Sequence, residues 1–212
     1  MWAVAAVCAA YLIGSLSFAV LVSRAMGMAD PRSYGSGNPG ATNVLRSGRK
    51  AAAALTLLGD ALKGWLAVFL AQSFRQPLGL SDTVIALVAV VVLLGHMYPV
   101  FFSFKGGKGV ATAVGVLLAL SPLTALICAA VWLVMAFGLK ISSLAALVAT
   151  VLSPMVAWFL LPEKIYMAAV AVIALLVLYR HKSNILNLLQ GKESKIGDRP
   201  SESESKEEDK AA

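Results

Sequence analysis

The chain is 212 residues long, 59% hydrophobic and only 14% charged, with a mean hydropathy of +0.80 and a formal net charge of +7. A soluble domain carries roughly a quarter charged residues, so this composition excludes an ordinary soluble globule and points to an all-α integral membrane bundle. The basic residues sit between apolar runs, without the interleaved aromatics that stack bases, so membrane orientation and anionic headgroups explain them and nucleic acid is set aside as a partner.

A hydrocarbon core about 30 Å thick takes roughly 20 apolar residues in a helix. On that measure seven transmembrane helices are expected, at 2–22, 51–71, 83–101, 110–120, 122–139, 142–161 and 164–179. The fourth is short and ends at Ser121-Pro122, where a tilted, kinked or partly embedded helix is expected. No Lys or Arg precedes the first run, which argues against a cleaved leader, and Arg24 and Arg32 follow it. With the N-terminus outside, Arg24, Arg32, Arg46, Arg49, Lys50, Lys105, Lys108, Lys140, Arg180 and Lys182 fall on the cytoplasmic side. The other side holds only Arg75 and Lys164, beside Asp82 and Glu163. This positive-inside bias favours seven spans with a cytoplasmic C-terminus; a five-span chain would move a basic loop or the C-terminus across. Cys8 and Cys128 lie within apolar runs and read as small core residues, not as a disulfide or CxxC site. Two parts are expected: a membrane domain over 1–190, and a disordered charged cytoplasmic tail over 191–212, too poor in apolar residues to fold.

Three clusters share the expected cytoplasmic side. The first runs Gly35-Ser36-Gly37-Asn38-Pro39-Gly40-Ala41-Thr42-Asn43-Val44-Leu45-Arg46. Its glycines let backbone N–H groups approach an anion, and Arg46 adds a fork suited to phosphate. A flexible loop with Asn and Ser as turn formers explains the same composition equally well. The second, Phe104-Lys105-Gly106-Gly107-Lys108-Gly109, precedes the fourth run and so stands near a helix N-terminus, where an anion is favoured. A positive-inside anchor would account for the lysines but not for three glycines. The third is Arg180-His181-Lys182-Ser183-Asn184-Ile185. Taken alone, Arg180 and Lys182 read as snorkelling anchors, His181 as an interfacial bystander and Asn184 as a cap.

Asp60 and Lys63 are three apart inside the second run, on one helix face, and read as a structural ion pair with a functional role as the alternative. His96, in Gly95-His96-Met97-Tyr98-Pro99, is either ligand-facing or bonded to backbone. No HExxH, HxxHH or cysteine ligand set is present, so neither metal nor cofactor is expected, and there is no GxSxG elbow or HxxxxD pattern. Anion sites without an obvious acid–base pair suit a substrate that arrives activated.

The blocks GSGNPGATNVLR, GDALKG over 59–64, GHMYPVFFSFKGGKG over 95–109, and RHKSNI with Gly191-Lys192-Glu193 together resemble the bacterial acyl-phosphate–glycerol-3-phosphate acyltransferases of the PlsY type. The resemblance runs from the first span to about Glu193, in order and at similar spacing. One departure is Asn187, where the family often carries arginine. The resemblance implies a seven-span bundle in the bacterial inner membrane with its active site facing the cytoplasm. It further implies transfer of a fatty acyl group from acyl phosphate to glycerol 3-phosphate, giving 1-acylglycerol 3-phosphate for phospholipid biosynthesis. Ser36, His181 and Asn184 are then the expected catalytic residues. Gly37, Asn38, Gly40, Asn43, Arg46, Lys105, Gly106, Gly107, Lys108 and Gly109 are expected to bind substrate and phosphate, with Ser142 at the start of the sixth span. The expected partners are the two substrates, membrane lipid and the enzyme that makes acyl phosphate. The rival readings are a transporter for a phosphate-bearing metabolite, for which no inverted repeat is evident, and a membrane scaffold, which leaves the Gly-Asn loop unexplained.

Overall fold

An apolar run in lipid must satisfy every backbone N–H and C=O within itself, and a helix does so. The computed structural model describes residues 1–196, and their regular structure is entirely helical. In chain order the α-helices are α1 (Trp2–Gly14), α2 (Phe18–Ala25), α3 (Ala41–Arg46), α4 (Lys50–Ser73), α5 (Arg75–Leu78), α6 (Asp82–Met97), α7 (Val110–Leu120), α8 (Pro122–Leu139), α9 (Ser142–Leu160), α10 (Lys164–Arg180) and α11 (Lys182–Leu189), with a 3-10 turn at Val100–Phe102.

Length and apolarity qualify four of these to cross a membrane alone: α4, α6 with its 3-10 turn, α8 and α9. Two bent pairs, α1 with α2 at 45° and α10 with α11 at 59°, raise the number to six. The fourth expected span, α7, has 11 residues, about 16 Å of helix, short of the hydrocarbon core when taken as a straight rod on its own. Nor is the first expected span continuous. It breaks after Gly14, and the Leu16 carbonyl freed there accepts a 2.6 Å hydrogen bond from the Lys63 ammonium.

α6 is the central helix: Ile85, Val88, Ala89, Val92, Leu93 and Met97 are all buried. Small residues set the crossings around it. A side chain at Gly95 would run into the Tyr11 carbonyl of α1, and one at Gly14 into the Val92 carbonyl. The α4–α7 crossing is equally close, with Gly115 against the Ala61 carbonyl and Gly64 against that of Thr112. Backbones that approach this closely gain dispersion contacts where lipid leaves no hydrophobic drive between helices.

The bundle ends differ in chemistry. At one, Asp82 pairs with Arg75 at 2.8 Å and accepts a hydrogen bond from the Tyr166 hydroxyl. At the other, the loops before α3 and α7 and the segment after α10 meet. The segment from Gly191, expected as a disordered tail, is held at its start: Ile196 N–H donates to the Lys140 carbonyl at 2.6 Å. The rest of that expected tail, 197–212, lies outside the described residues.

Candidate active site

The first loop is built on Asn43. Its buried side chain donates to the carbonyls of Pro31 (2.7 Å) and Tyr34 (3.1 Å) and accepts from Ser36 N–H at 2.9 Å. Both amide hydrogens are therefore committed to the loop, and Asn43, expected to bind substrate, serves in this structure as the loop's internal brace. Gly35 turns the chain beside it at φ +58°, and a Cβ there would strike Asn43 Oδ1. Ser36 and Gly37 are exposed, while Asn38 and Gly40 are half-buried. Upstream, Arg32 forks onto Asp30 at 2.7 Å, and this bond holds the Asp30 carboxyl below its usual range. The same guanidinium reaches the Phe102 carbonyl at 3.3 Å, tying this loop to the next.

After the 3-10 turn, Ser103 and Phe104 adopt left-handed conformations, and the chain folds back under the end of α6. A Cβ on Gly106 would collide with the His96 carbonyl, and one on Gly107 with the His96 ring. Gly107 N–H donates to that same carbonyl at 3.2 Å. These glycines are required by close approach to α6. Gly109, at φ +91°, opens α7. Arg180 grips the loop from outside, donating to the Gly106 carbonyl at 2.8 Å and the Gly107 carbonyl at 3.2 Å.

A polar chain joins this loop to the third cluster. The Lys108 ammonium donates to Asn184 Oδ1 at 2.6 Å, and Asn184 Nδ2 donates to Glu193 Oε1 at 2.7 Å. The Ser143 hydroxyl donates to the same oxygen at 2.7 Å. Arg46 donates to the Ser194 hydroxyl, so the first cluster joins too. Burial pushes the Lys108 ammonium below its usual range; Glu193 opposes the shift, while Arg180 and Arg46 add to it. His181, just past the end of α10, is 3% exposed, with Nδ1 2.7 Å from the Val177 carbonyl. A carbonyl only accepts, so Nδ1 carries the proton and Nε2 is the free edge. Burial lowers its pKa to about 4, and the cations Lys108 and Arg180 add to that effect.

Several of the expected residues thus meet at one end: Lys108 bonds Asn184, Arg46 bonds Ser194 beside Glu193, and Gly106 and Gly107 are held by Arg180, the chain neighbour of His181. Ser36 and Lys105 are exposed beside them. Ser142 is half-buried at the start of α9, and the hydroxyl that reaches the cluster in this structure belongs to Ser143, one residue and about 100° further round the helix. Asp60 and Lys63 lie deeper, 2.8 Å apart and almost fully buried, with His96 Nδ1 3.5 Å from the carboxylate. Three participants escaped the sequence reading of the residues. Arg180 read as an anchor, Ser143 was passed over for its neighbour, and Glu193 fell into the supposed tail. Glu193 is the first acidic residue after Glu163, a signal that was available.

Comparison with known proteins places this geometry. The family model described as glycerol-3-phosphate acyltransferase matches residues 4–191. The glycerol-3-phosphate acyltransferase of Neisseria gonorrhoeae (strain NCCP11945) is 68% identical over 199 residues, 94% of this chain and all of that protein. That of Chromobacterium violaceum (strain ATCC 12472) is 63% identical over 198 residues, 93% of this chain and 96% of the relative. The crystal structure of PlsY (YgiH), an integral membrane glycerol 3-phosphate acyltransferase, in its glycerol 3-phosphate form superposes with a TM-score of 0.86 at 39% identity, covering 93% of this chain and 96% of that one. Its lysophosphatidic acid form gives 0.84 at 38%, with the same coverage. Apolar helices, a basic polar cluster at one bundle end and matches along nearly the whole chain agree: this is a multi-pass membrane protein that belongs to the glycerol-3-phosphate acyltransferase family, of the PlsY type.

Proposed function

We propose that the chain transfers a fatty acyl group from acyl phosphate to the 1-hydroxyl of glycerol 3-phosphate, releasing 1-acylglycerol 3-phosphate and inorganic phosphate. The observation that carries this reading is a basic bundle end where Lys108 bonds Asn184, Arg46 reaches Ser194 and the glycine loop is held by Arg180, next in the chain to His181, with no hydrogen-bonded pair of general acid and base at that end among the described residues. Both substrates bear phosphate, and the mixed anhydride is already activated, so no covalent enzyme intermediate is needed. The acceptor hydroxyl attacks the acyl carbonyl, the carbon–oxygen bond to phosphate breaks, and the hydroxyl proton passes to a departing phosphate oxygen. Ser36, Arg46, Lys105 and Lys108 gather the two phosphates and hold hydroxyl and carbonyl in line, with Gly37, Asn38 and Gly40 shaping the loop that receives them. His181, through Nε2, orients the acceptor hydroxyl, and Asn184 donates to charge developing in the transition state.

The acyl chain lies between spans. A shallow apolar cleft lined by Val114, Leu117, Trp132, Ile173 and Val177 opens to the exterior between α7, α8 and α10. The basic end faces the cytoplasm of the bacterial inner membrane, in keeping with the positive-inside bias. In that orientation α7 acts as a short fourth span of seven, the N-terminus lies outside, and the acyl-phosphate-producing enzyme delivers from the cytoplasmic side. Residues 1–190 make up the catalytic membrane domain and 191–212 a cytoplasmic extension.

The test is turnover of radiolabelled glycerol 3-phosphate by purified protein with palmitoyl phosphate or palmitoyl-CoA. Lysophosphatidic acid from the phosphate donor alone is expected. Equal product from the thioester would refute the donor assignment.

A further inference from the structure

Two residues outside the glycine loop decide its shape. Every peptide bond described is trans, so the C=O and N–H of one unit point in opposite directions. In the 106–107 unit the carbonyl goes to Arg180 and the N–H to the His96 carbonyl. In the 107–108 unit Arg180 again holds the carbonyl, so Lys108 N–H is turned away from the guanidinium. Beyond it stand the first N–H groups of α7, which have no acceptor within the helix. Ala113 is the first to close, on the Gly109 carbonyl at 2.8 Å. Arg180 makes no ion pair with a carboxylate among the described residues. Its remaining contact is the face of Tyr98, 5.4 Å from the ring centre. An anchor at the lipid interface would point its head to water, whereas this one spends its fork on two carbonyls of one loop.

We infer that Arg180 is a positioning residue, gripping the carbonyls of Gly106 and Gly107 so that the amides beyond them face a phosphate group. The inference rests on the glycine loop being a phosphate-binding element of the reaction proposed above. The shared chemistry is a phosphate bearing an organic group, either glycerol 3-phosphate or the acyl donor. Lysine cannot replace the fork, because a single ammonium offers no planar pair of donors.

The experiment is titration calorimetry of the purified protein in detergent with glycerol 3-phosphate and, separately, with hexadecyl phosphate, which cannot transfer an acyl group. Gly107→Ala pushes the loop off His96 and should weaken one of these ligands about tenfold, the loss of one charge-assisted hydrogen bond. Arg180→Gln should weaken the same ligand to a similar extent, and the double variant should be no worse than the worse single one, since both act through one loop. Arg180→Lys should match Arg180→Gln. Affinity for both ligands retained in Arg180→Gln, wild-type affinity in Arg180→Lys, or a multiplicative loss in the double variant would each overturn the inference. Arg180→Lys decides the question alone if Arg180→Gln does not fold. Should Gly107→Ala leave both ligands untouched, the loop is not a phosphate site and the inference falls with that assignment, whereas the donor assay above still judges the overall reaction separately.

Discussion

Replacing Lys63 by methionine leaves the Asp60 carboxyl in the bundle interior without its cation. The two side chains are 2% and 4% exposed, with Nζ and Oδ1 2.8 Å apart. At an effective dielectric of about 20, Coulomb attraction at that separation is about 6 kcal/mol, and desolvating each ion costs several kcal/mol against it. The intact pair therefore contributes little net stability, but breaking it from one side exposes the full penalty, about 3–5 kcal/mol. The Leu16 carbonyl at the α1–α2 break also loses its 2.6 Å donor, a further cost of about 1 kcal/mol. The Asp60→Asn/Lys63→Met double variant removes both charges and should recover most of the first penalty. Reversible unfolding titrations in mixed micelles, on wild type, both single variants and the double, close the cycle. A Lys63→Met protein within about 0.5 kcal/mol of wild type would refute the reasoning, given the usual noise of independent sites. So would a double variant as unstable as the two single losses summed.

Asn43→Asp keeps the shape of the brace but turns two donors into acceptors facing the Pro31 and Tyr34 carbonyls. It should cost about 1–3 kcal/mol and abolish acyl transfer, read by unfolding titration and turnover. Gly115→Leu forces a side chain into the Ala61 carbonyl at the α4–α7 crossing; expression of folded, monodisperse protein should collapse, whereas Gly138→Leu, with open space around it, should not. His181 supplies a pH signature. Its pKa is lowered to about 4 in the fold, against about 6.5 in the unfolded chain. The unfolded state therefore binds more protons in that window, so this group's contribution is intact above pH 6.5 and is lost as pH falls toward 4. The loss is on the order of 3 kcal/mol, absent in His181→Gln, and visible as a difference in unfolding free energy between pH 7 and pH 4.5.

Much was readable without coordinates because membrane helices are specified locally. Once apolar runs are long enough, hydrogen bonding within the segment leaves no alternative to a helix, and expected and observed bounds of the α4, α8, α9 and α10 helices differ by two residues or fewer. The glycine loops, the Asp60–Lys63 spacing and the clustering of basic residues at one end were also local or compositional signals. Contacts between segments distant in the chain could not be read this way. The Leu16 carbonyl that splits the first span is freed opposite Lys63, 47 residues on. Asn43 looked like a ligand because its type suits one, yet only folding reveals that loop carbonyls consume both of its N–H donors. Arg180 and Glu193 carried the residue types of an anchor and a tail. Their partners, Gly106 and Gly107 for one and Ser143 and Asn184 for the other, are chosen by how α6, α9 and α10 pack, because a hydrogen bond depends on distance and angle in space and a sequence sets only the residues available to make it.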